Sequence, residues 1–143
     1  MQVVVFHQQS IILSQFLTQG SLVVRTILVV EDSTSERELI SQYLQQGGYN
    51  VIAVASAQDA LDKVNTQRPD MVVTDLVMPG MSGYELCRTL RNNPAMERVP
   101  VVVCSSKDQK IDRLWAMKQG ANAYITKPFT QEDLLRSVKA MVV

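Results

Sequence analysis

The chain has 143 residues, 46% of them hydrophobic, and its 14 basic and 14 acidic side chains cancel. That length suits one domain with a packed core and leaves little room for a second. Balanced charge gives no general attraction to nucleic acid or anionic lipid. One histidine, His7, and two cysteines without a ligand spacing, Cys87 and Cys104, support neither a zinc site nor a Ser-His-Asp triad.

Residues 1–24 contain no Asp, Glu, Lys or Arg. Val3-Val4-Val5-Phe6 and Ile11-Ile12-Leu13 are apolar, but Gln8, Gln9, Gln15 and Gln19 interrupt them. The segment therefore falls short of the roughly 18 consecutive apolar residues of a spanning helix. It also lacks the basic start and small-residue cleavage site of a secretory signal. It is expected to be a frayed, disordered extension or a docking helix, with Ile12, Leu13, Phe16 and Leu17 on one face. Such a helix would pack on the domain or pair two chains as a homodimer. The domain proper spans residues 25–143.

From Arg25 onward, short β-branched runs alternate with helical patterns. Thr26–Val30, Asn50–Ala55, Met71–Thr74, Val101–Cys104 and Ala123–Thr126 read as strands whose continuous apolar character suits burial on both faces. Helical stripes lie between and after them: Leu39, Ile40, Tyr43 and Leu44; Ala60, Leu61 and Val64; Leu86 and Leu90; Ile111, Leu114 and Met117; Leu134, Leu135, Val138 and Met141. Ser56/Asp59, Ser82/Glu85 and Thr130/Asp133 have capping-box spacing, and Gly47-Gly48 and Gly120 stand where helices should stop. Cys104 closes an apolar run and reads as a small buried hydrophobe, consistent with a reducing, cytoplasmic compartment.

Five strand–helix alternations predict a doubly wound α/β fold. Its five-stranded parallel sheet would carry helices on both faces, in the flavodoxin-like order 2-1-3-4-5, counting from Thr26–Val30. In such folds ligands bind beyond the carboxyl ends of the strands. Those ends carry Glu31-Asp32, Asp75, Ser105-Ser106 and Lys127 on the first, third, fourth and fifth strands. The second strand ends without charge in Val54-Ala55-Ser56. The four polar ends are thus neighbours in the predicted order, and the silent strand lies outside them.

Three carboxylates in one cleft repel, and a hard oxygen-liganded cation such as magnesium relieves that repulsion while keeping waters for a phosphate to share. A carboxylate can accept a phosphoryl group covalently, and the transfer needs chiefly positioning and charge stabilisation. Lys127 offers a cationic donor to phosphoryl oxygens and the Ser105 hydroxyl a neutral one. Each residue also has an ordinary alternative. Glu31-Asp32 or Ser105 could cap the following helix, Asp75 could be a turn aspartate, and Lys127 could be solvated.

Several segments resemble the CheY-like receiver domain of response regulators in two-component signalling. They are Ile27-Leu28-Val29-Val30-Glu31-Asp32-Ser33, Asp75-Leu76-Val77-Met78-Pro79-Gly80-Met81-Ser82-Gly83, Val101-Val102-Val103-Cys104-Ser105-Ser106, and Gly120-Ala121-Asn122-Ala123-Tyr124-Ile125-Thr126-Lys127-Pro128-Phe129. The resemblance implies that Asp75 accepts phosphate from a histidine kinase. It further implies that Asp32, Asp75 and the Val77 backbone carbonyl hold Mg2+, with Glu31 acting through water. By the same resemblance Ser105 and Tyr124 form a switch pair, Lys127 stabilises the phosphoryl group, and Lys127-Pro128 is a cis peptide. Trp115 and Tyr124 would mark a partner surface around the fourth helix, fifth strand and fifth helix. Lys107-Asp108-Gln109-Lys110 and Asp112–Gly120 resemble short receivers of type IV pilus twitching systems. A role in pilus motility or in phototaxis- or chemotaxis-type signalling is therefore expected. With no output domain after Val143, the chain is expected to act through other proteins rather than as a conventional enzyme.

Three competing classes leave distinguishable marks. A flavin carrier of this fold would meet a repulsive Glu31-Asp32 at its phosphate site. A haloacid-dehalogenase-type phosphatase wants an acid two positions after its nucleophile, where Val77 stands. A receiver-shaped scaffold that signals without phosphate would tolerate Asp75→Asn.

Overall fold

The computed structural model describes residues 3–5 and 24–141. In chain order the elements are β1 (Val3–Val5), β2 (Thr26–Val30), α1 (Thr34–Gln46), β3 (Asn50–Val54), α2 (Ala57–Gln67) and β4 (Met71–Thr74). They continue with α3 (Gly83–Arg91), β5 (Val101–Ser105), α4 (Lys110–Lys118), β6 (Ala123–Thr126) and α5 (Gln131–Ala140). One sheet runs in the order β1-β6-β5-β4-β2-β3. The strands β2 to β6 pair in parallel and realise the doubly wound order expected for them.

Strand alternation explains the two-sided core. Along β2, Leu28 and Val30 point into one apolar cluster with α2, α3 and α4, including Ala60, Val64, Leu86, Leu90 and Ala116. Ile27 and Val29 point into the other with Ile40 and Leu44 of α1 and Leu134 and Val138 of α5. The near-continuous apolar strands are thus buried on both faces, as central parallel strands must be.

Local chemistry sets the helix starts. Ser56, Ser82 and Thr130 accept the backbone N–H of Asp59, Glu85 and Asp133 at 3.1, 3.2 and 3.1 Å, the capping contacts anticipated from their spacing. Ser33, rather than Glu31 or Asp32, caps α1 by accepting the Glu36 N–H at 3.4 Å. Gln109 caps α4 and its N–H donates to Asp112 at 3.1 Å, so Ser105 is no cap of that helix. Gly120 has φ of +105° just past α4, a left-handed conformation that favours glycine.

Among the described residues the sheet has six strands, one more than expected. Val3–Val5 runs antiparallel to β6, with Val4 opposite Tyr124. This corrects the expectation of a disordered or helical segment at those residues. Three consecutive β-branched residues favour extended backbone, and the outer edge of β6 supplies the unpaired groups that a strand needs. The anticipated helix face of Ile12, Leu13, Phe16 and Leu17 lies outside the described residues. Among the described residues, no helix is long and apolar enough to cross a membrane.

Candidate functional site

The parallel topology brings the carboxyl ends of β2, β4, β5 and β6 side by side. Lys127, at the end of β6, is the hub. Its Nζ lies 2.6 Å from Glu31 Oε1 and 3.1 Å from Asp75 Oδ2, and also 3.1 Å from Glu36 Oε1 on the first turn of α1. Glu31 is enclosed, its side chain 1% exposed, while Lys127 at 11% and Asp75 at 13% each keep a small face to solvent. The Lys127–Pro128 peptide is cis.

Backbone donors fix the acids. The Ser33 N–H donates to Glu31 Oε2 at 3.0 Å, leaving Oε1 for the lysine. Asp75 Oδ1 accepts the Leu76 N–H at 2.6 Å and the Val77 N–H at 3.5 Å, which turns Oδ2 toward Lys127. Burial raises the pKa of Glu31, opposed by its hydrogen bond to Lys127. For Lys127, burial works against the charge, but the Glu31 hydrogen bond and the Asp75 and Glu31 charges outweigh it and raise its pKa. The ammonium form is firmly held.

Below Asp75, α3 approaches the strand end very closely. The Gly83 N–H donates to Leu76 O at 2.9 Å, and a Cβ on Gly83 would collide with the Asp75 carbonyl oxygen.

Asp32 follows Glu31 as an exposed residue whose backbone carbonyl accepts Arg37 at 3.4 Å. Among the described residues, no three acidic, histidine or cysteine side chains gather as a ready cation site. Lys127 stands between Glu31 and Asp75 and offsets part of their charge. Val77 is exposed beside Asp75.

Ser105 is buried at the end of β5, and its Oγ accepts the Lys107 N–H at 3.2 Å. Tyr124 is fully buried, with its hydroxyl donating to Lys107 O at 2.7 Å. Burial pushes the phenol up to about 12, against a hydrogen bond with Ser105 that acts the other way. Tyr124 therefore sits beneath the surface rather than on it, which corrects its expected place in a partner face. Its ring fills apolar space, and the Lys107 carbonyl satisfies its hydroxyl inside the fold. Trp115 is 49% exposed on α4 with Ile111 and Leu114, and the Lys118 Nζ lies 5.6 Å from its ring centroid. Of the acids around Lys127, Glu36 does not lie at a strand end and is not among the expected site residues. Its only signal is a place on the first turn of the helix that follows Glu31-Asp32.

The fold and these strand ends define a receiver of two-component signal transduction, and the chain belongs to that family. Residues 27–139 match the family model described as the response regulator receiver domain. The chain is 34% identical over 116 residues to Protein PilH of Pseudomonas aeruginosa, covering 81% of this chain and 96% of that protein. It is 35% identical over 116 residues to Protein PilG of the same organism, covering 81% and 86%. Among solved structures, it is similar to the chemotaxis response regulator CheY4 of Vibrio cholerae, with a TM-score of 0.79 and 28% identity. That match covers 83% of this chain and 99% of the other.

Proposed function

We propose that this receiver is a phosphorylation switch in which Asp75 accepts a phosphoryl group from a histidine kinase in the cytoplasm. The observation that carries the reading is the Lys127 ammonium, gripped by Glu31 and held 3.1 Å from a carboxylate that still faces solvent. In the step, an Asp75 carboxylate oxygen forms a bond to phosphorus as the donor's P–N bond breaks, and the departing imidazole takes up a proton. Lys127 transfers its hydrogen bond from Asp75 to a phosphoryl oxygen, and the Ser105 hydroxyl donates to another.

The donors available at these strand ends are Asp32, Asp75, the Val77 backbone carbonyl and, through water, Glu31. All are oxygens and Asp32 is exposed, a set that fits magnesium. The cation supplies charge neutralisation to the incoming phosphoryl group.

Recruiting Ser105 toward the phosphoryl group would free the Lys107 N–H and alter the contact with Tyr124, whose hydroxyl holds the Lys107 carbonyl. A local charge event would thus bias a two-state element comprising the β5–α4 loop and the exposed face of α4. Ile111, Leu114 and Trp115 form the apolar part of that face. Similarity to PilH, PilG and CheY4 supports an output in pilus- or chemotaxis-type signalling. Residues 25–143 act as the receiver and residues 1–24 as an appended segment.

The test is incubation with acetyl phosphate, with and without magnesium, followed by intact-mass measurement. Wild type should gain one phosphoryl group in a magnesium-dependent way and Asp75→Asn none. A wild type that stays unmodified would favour the scaffold reading, in which Lys127 already satisfies the acids.

A further inference from the structure

Without β1, β6 would be the edge of the sheet. An edge strand presents a row of unpaired N–H and C=O groups and readily accepts another strand. In this chain Val3, Val4 and Val5 pair with Ile125, Tyr124 and Ala123 in antiparallel register. Val4 packs against the core cluster that contains Tyr124, and Val3 against the cluster that contains Ile125, Leu134 and Val138. The N-terminal strand also touches α5. It therefore satisfies the edge in both backbone and side-chain terms.

The hold is short. A ladder of three residue pairs contributes only a few net hydrogen bonds. Closing it joins parts of the chain more than a hundred positions apart, at an entropic cost. Such a strand detaches far more readily than β2 or β4, which are paired on both sides.

We propose that the outer edge of β6 is a strand-accepting interaction surface that Val3–Val5 occupies in cis. The chain thereby carries its own competitor for a partner protein's extended segment. The partner segment it fits has β-branched apolar residues at consecutive positions, one for each face of the sheet, as Val3 and Val4 have. The assignment holds whether or not Asp75 accepts phosphate.

The test uses the full chain. Consecutive strand amides point alternately toward and away from a neighbour, so Val4→Pro with Val5→Pro removes a ladder donor whichever of the two faces β6. Hydrogen exchange at Ala123–Ile125 is followed by mass spectrometry in wild type and the double variant. Each is measured with and without a synthetic peptide of residues 1–7 at millimolar concentration. The outward amides of β6 should exchange roughly tenfold faster in the variant. The peptide should restore their protection there and leave wild type unchanged.

Unchanged exchange in the variant means that the resident strand does not guard the edge. Faster exchange that the peptide fails to slow means that the edge accepts no free strand. Either result overturns the inference. Should circular dichroism show that the prolines compromise folding, Val4→Glu is measured by the same criteria. It keeps every backbone donor but forces a charge against the Tyr124 cluster.

Discussion

Arg91, the last residue of α3, offers the sharpest test of how this fold is held beneath its site. Its guanidinium donates to five carbonyl oxygens. Gly120 O receives Nε at 3.0 Å and Nη2 at 2.7 Å, and Asn122 Oδ1 receives Nη2 at 2.7 Å. Val99 O, Met96 O and Glu97 O receive Nη1 at 2.7, 3.2 and 3.2 Å. One side chain thus ties the end of α3 to the turn before β6 and the loop before β5. Arg91→Met keeps the apolar stem and removes every donor. Asn122 Oδ1 retains the Val101 N–H at 2.8 Å, and Glu97 is exposed enough for water to replace the arginine. The loss falls mainly on Gly120 O and Val99 O. Charge-assisted hydrogen bonds are worth about 1.5–3 kcal/mol each, and partial rehydration lowers the sum to about 2–4 kcal/mol. With a urea dependence of about 1–3 kcal/mol per molar, the unfolding midpoint should fall by about 1–2 M at unchanged slope. Arg91→Lys should recover less than half of this, because an ammonium cannot reach carbonyls on both sides at once. A midpoint within experimental error of wild type for Arg91→Met would refute the reasoning.

Other expectations follow from single contacts. Gly83→Ala should cost about 1–3 kcal/mol and lower the melting temperature, because its new methyl meets the Asp75 carbonyl rather than a side chain that can move aside. Cys87 and Cys104 are fully buried, and burial pushes both thiols from 9.0 up to about 12. Neither should react with iodoacetamide at pH 8 until urea unfolds the chain, as alkylation followed by mass spectrometry will show. The sign follows from the raised folded values: the thiols take nothing from stability below about pH 9 and reduce it between about pH 9 and 12, where only the unfolded form ionises. Trp115 is half-exposed, so Trp115→Ala should change stability by less than about 0.5 kcal/mol, read by urea titration. In wild type its fluorescence should be quenched readily by acrylamide.

Much of the architecture is legible because burial leaves periodic marks. Thr26–Val30, Met71–Thr74 and Ala123–Thr126 are strands over the anticipated residues, since central parallel strands must be apolar on both faces. Boundaries shift where pairing rather than composition decides. β5 extends to Ser105 because that residue pairs with Thr126, and β3 stops at Val54, opposite Val30 at the end of β2. Val3–Val5 carries the β-branched signal of a strand. Its partner lies at the far end of the chain, and a periodicity scan sees no partner. Arg91 is silent for a related reason. Four of its five acceptors are backbone carbonyls, whose positions depend on the folded turns and not on residue type.

The site shows the same division between what strand ends reveal and what the next helix adds. Glu31, Asp75, Ser105 and Lys127 are legible because parallel topology sends every strand's carboxyl end to one rim. Glu36 reaches Lys127 only because Ser33 starts α1 immediately and turns the first helical residues back over that rim. A residue at that helix position contributes charge to the cluster without lying on a strand. The Tyr124 hydroxyl is likewise drawn inward by the Lys107 carbonyl on the loop after β5. The contents of the rim can therefore be read from the sheet alone, whereas its charge balance and the placement of the Tyr124 hydroxyl require the first turn of α1 and the β5–α4 loop.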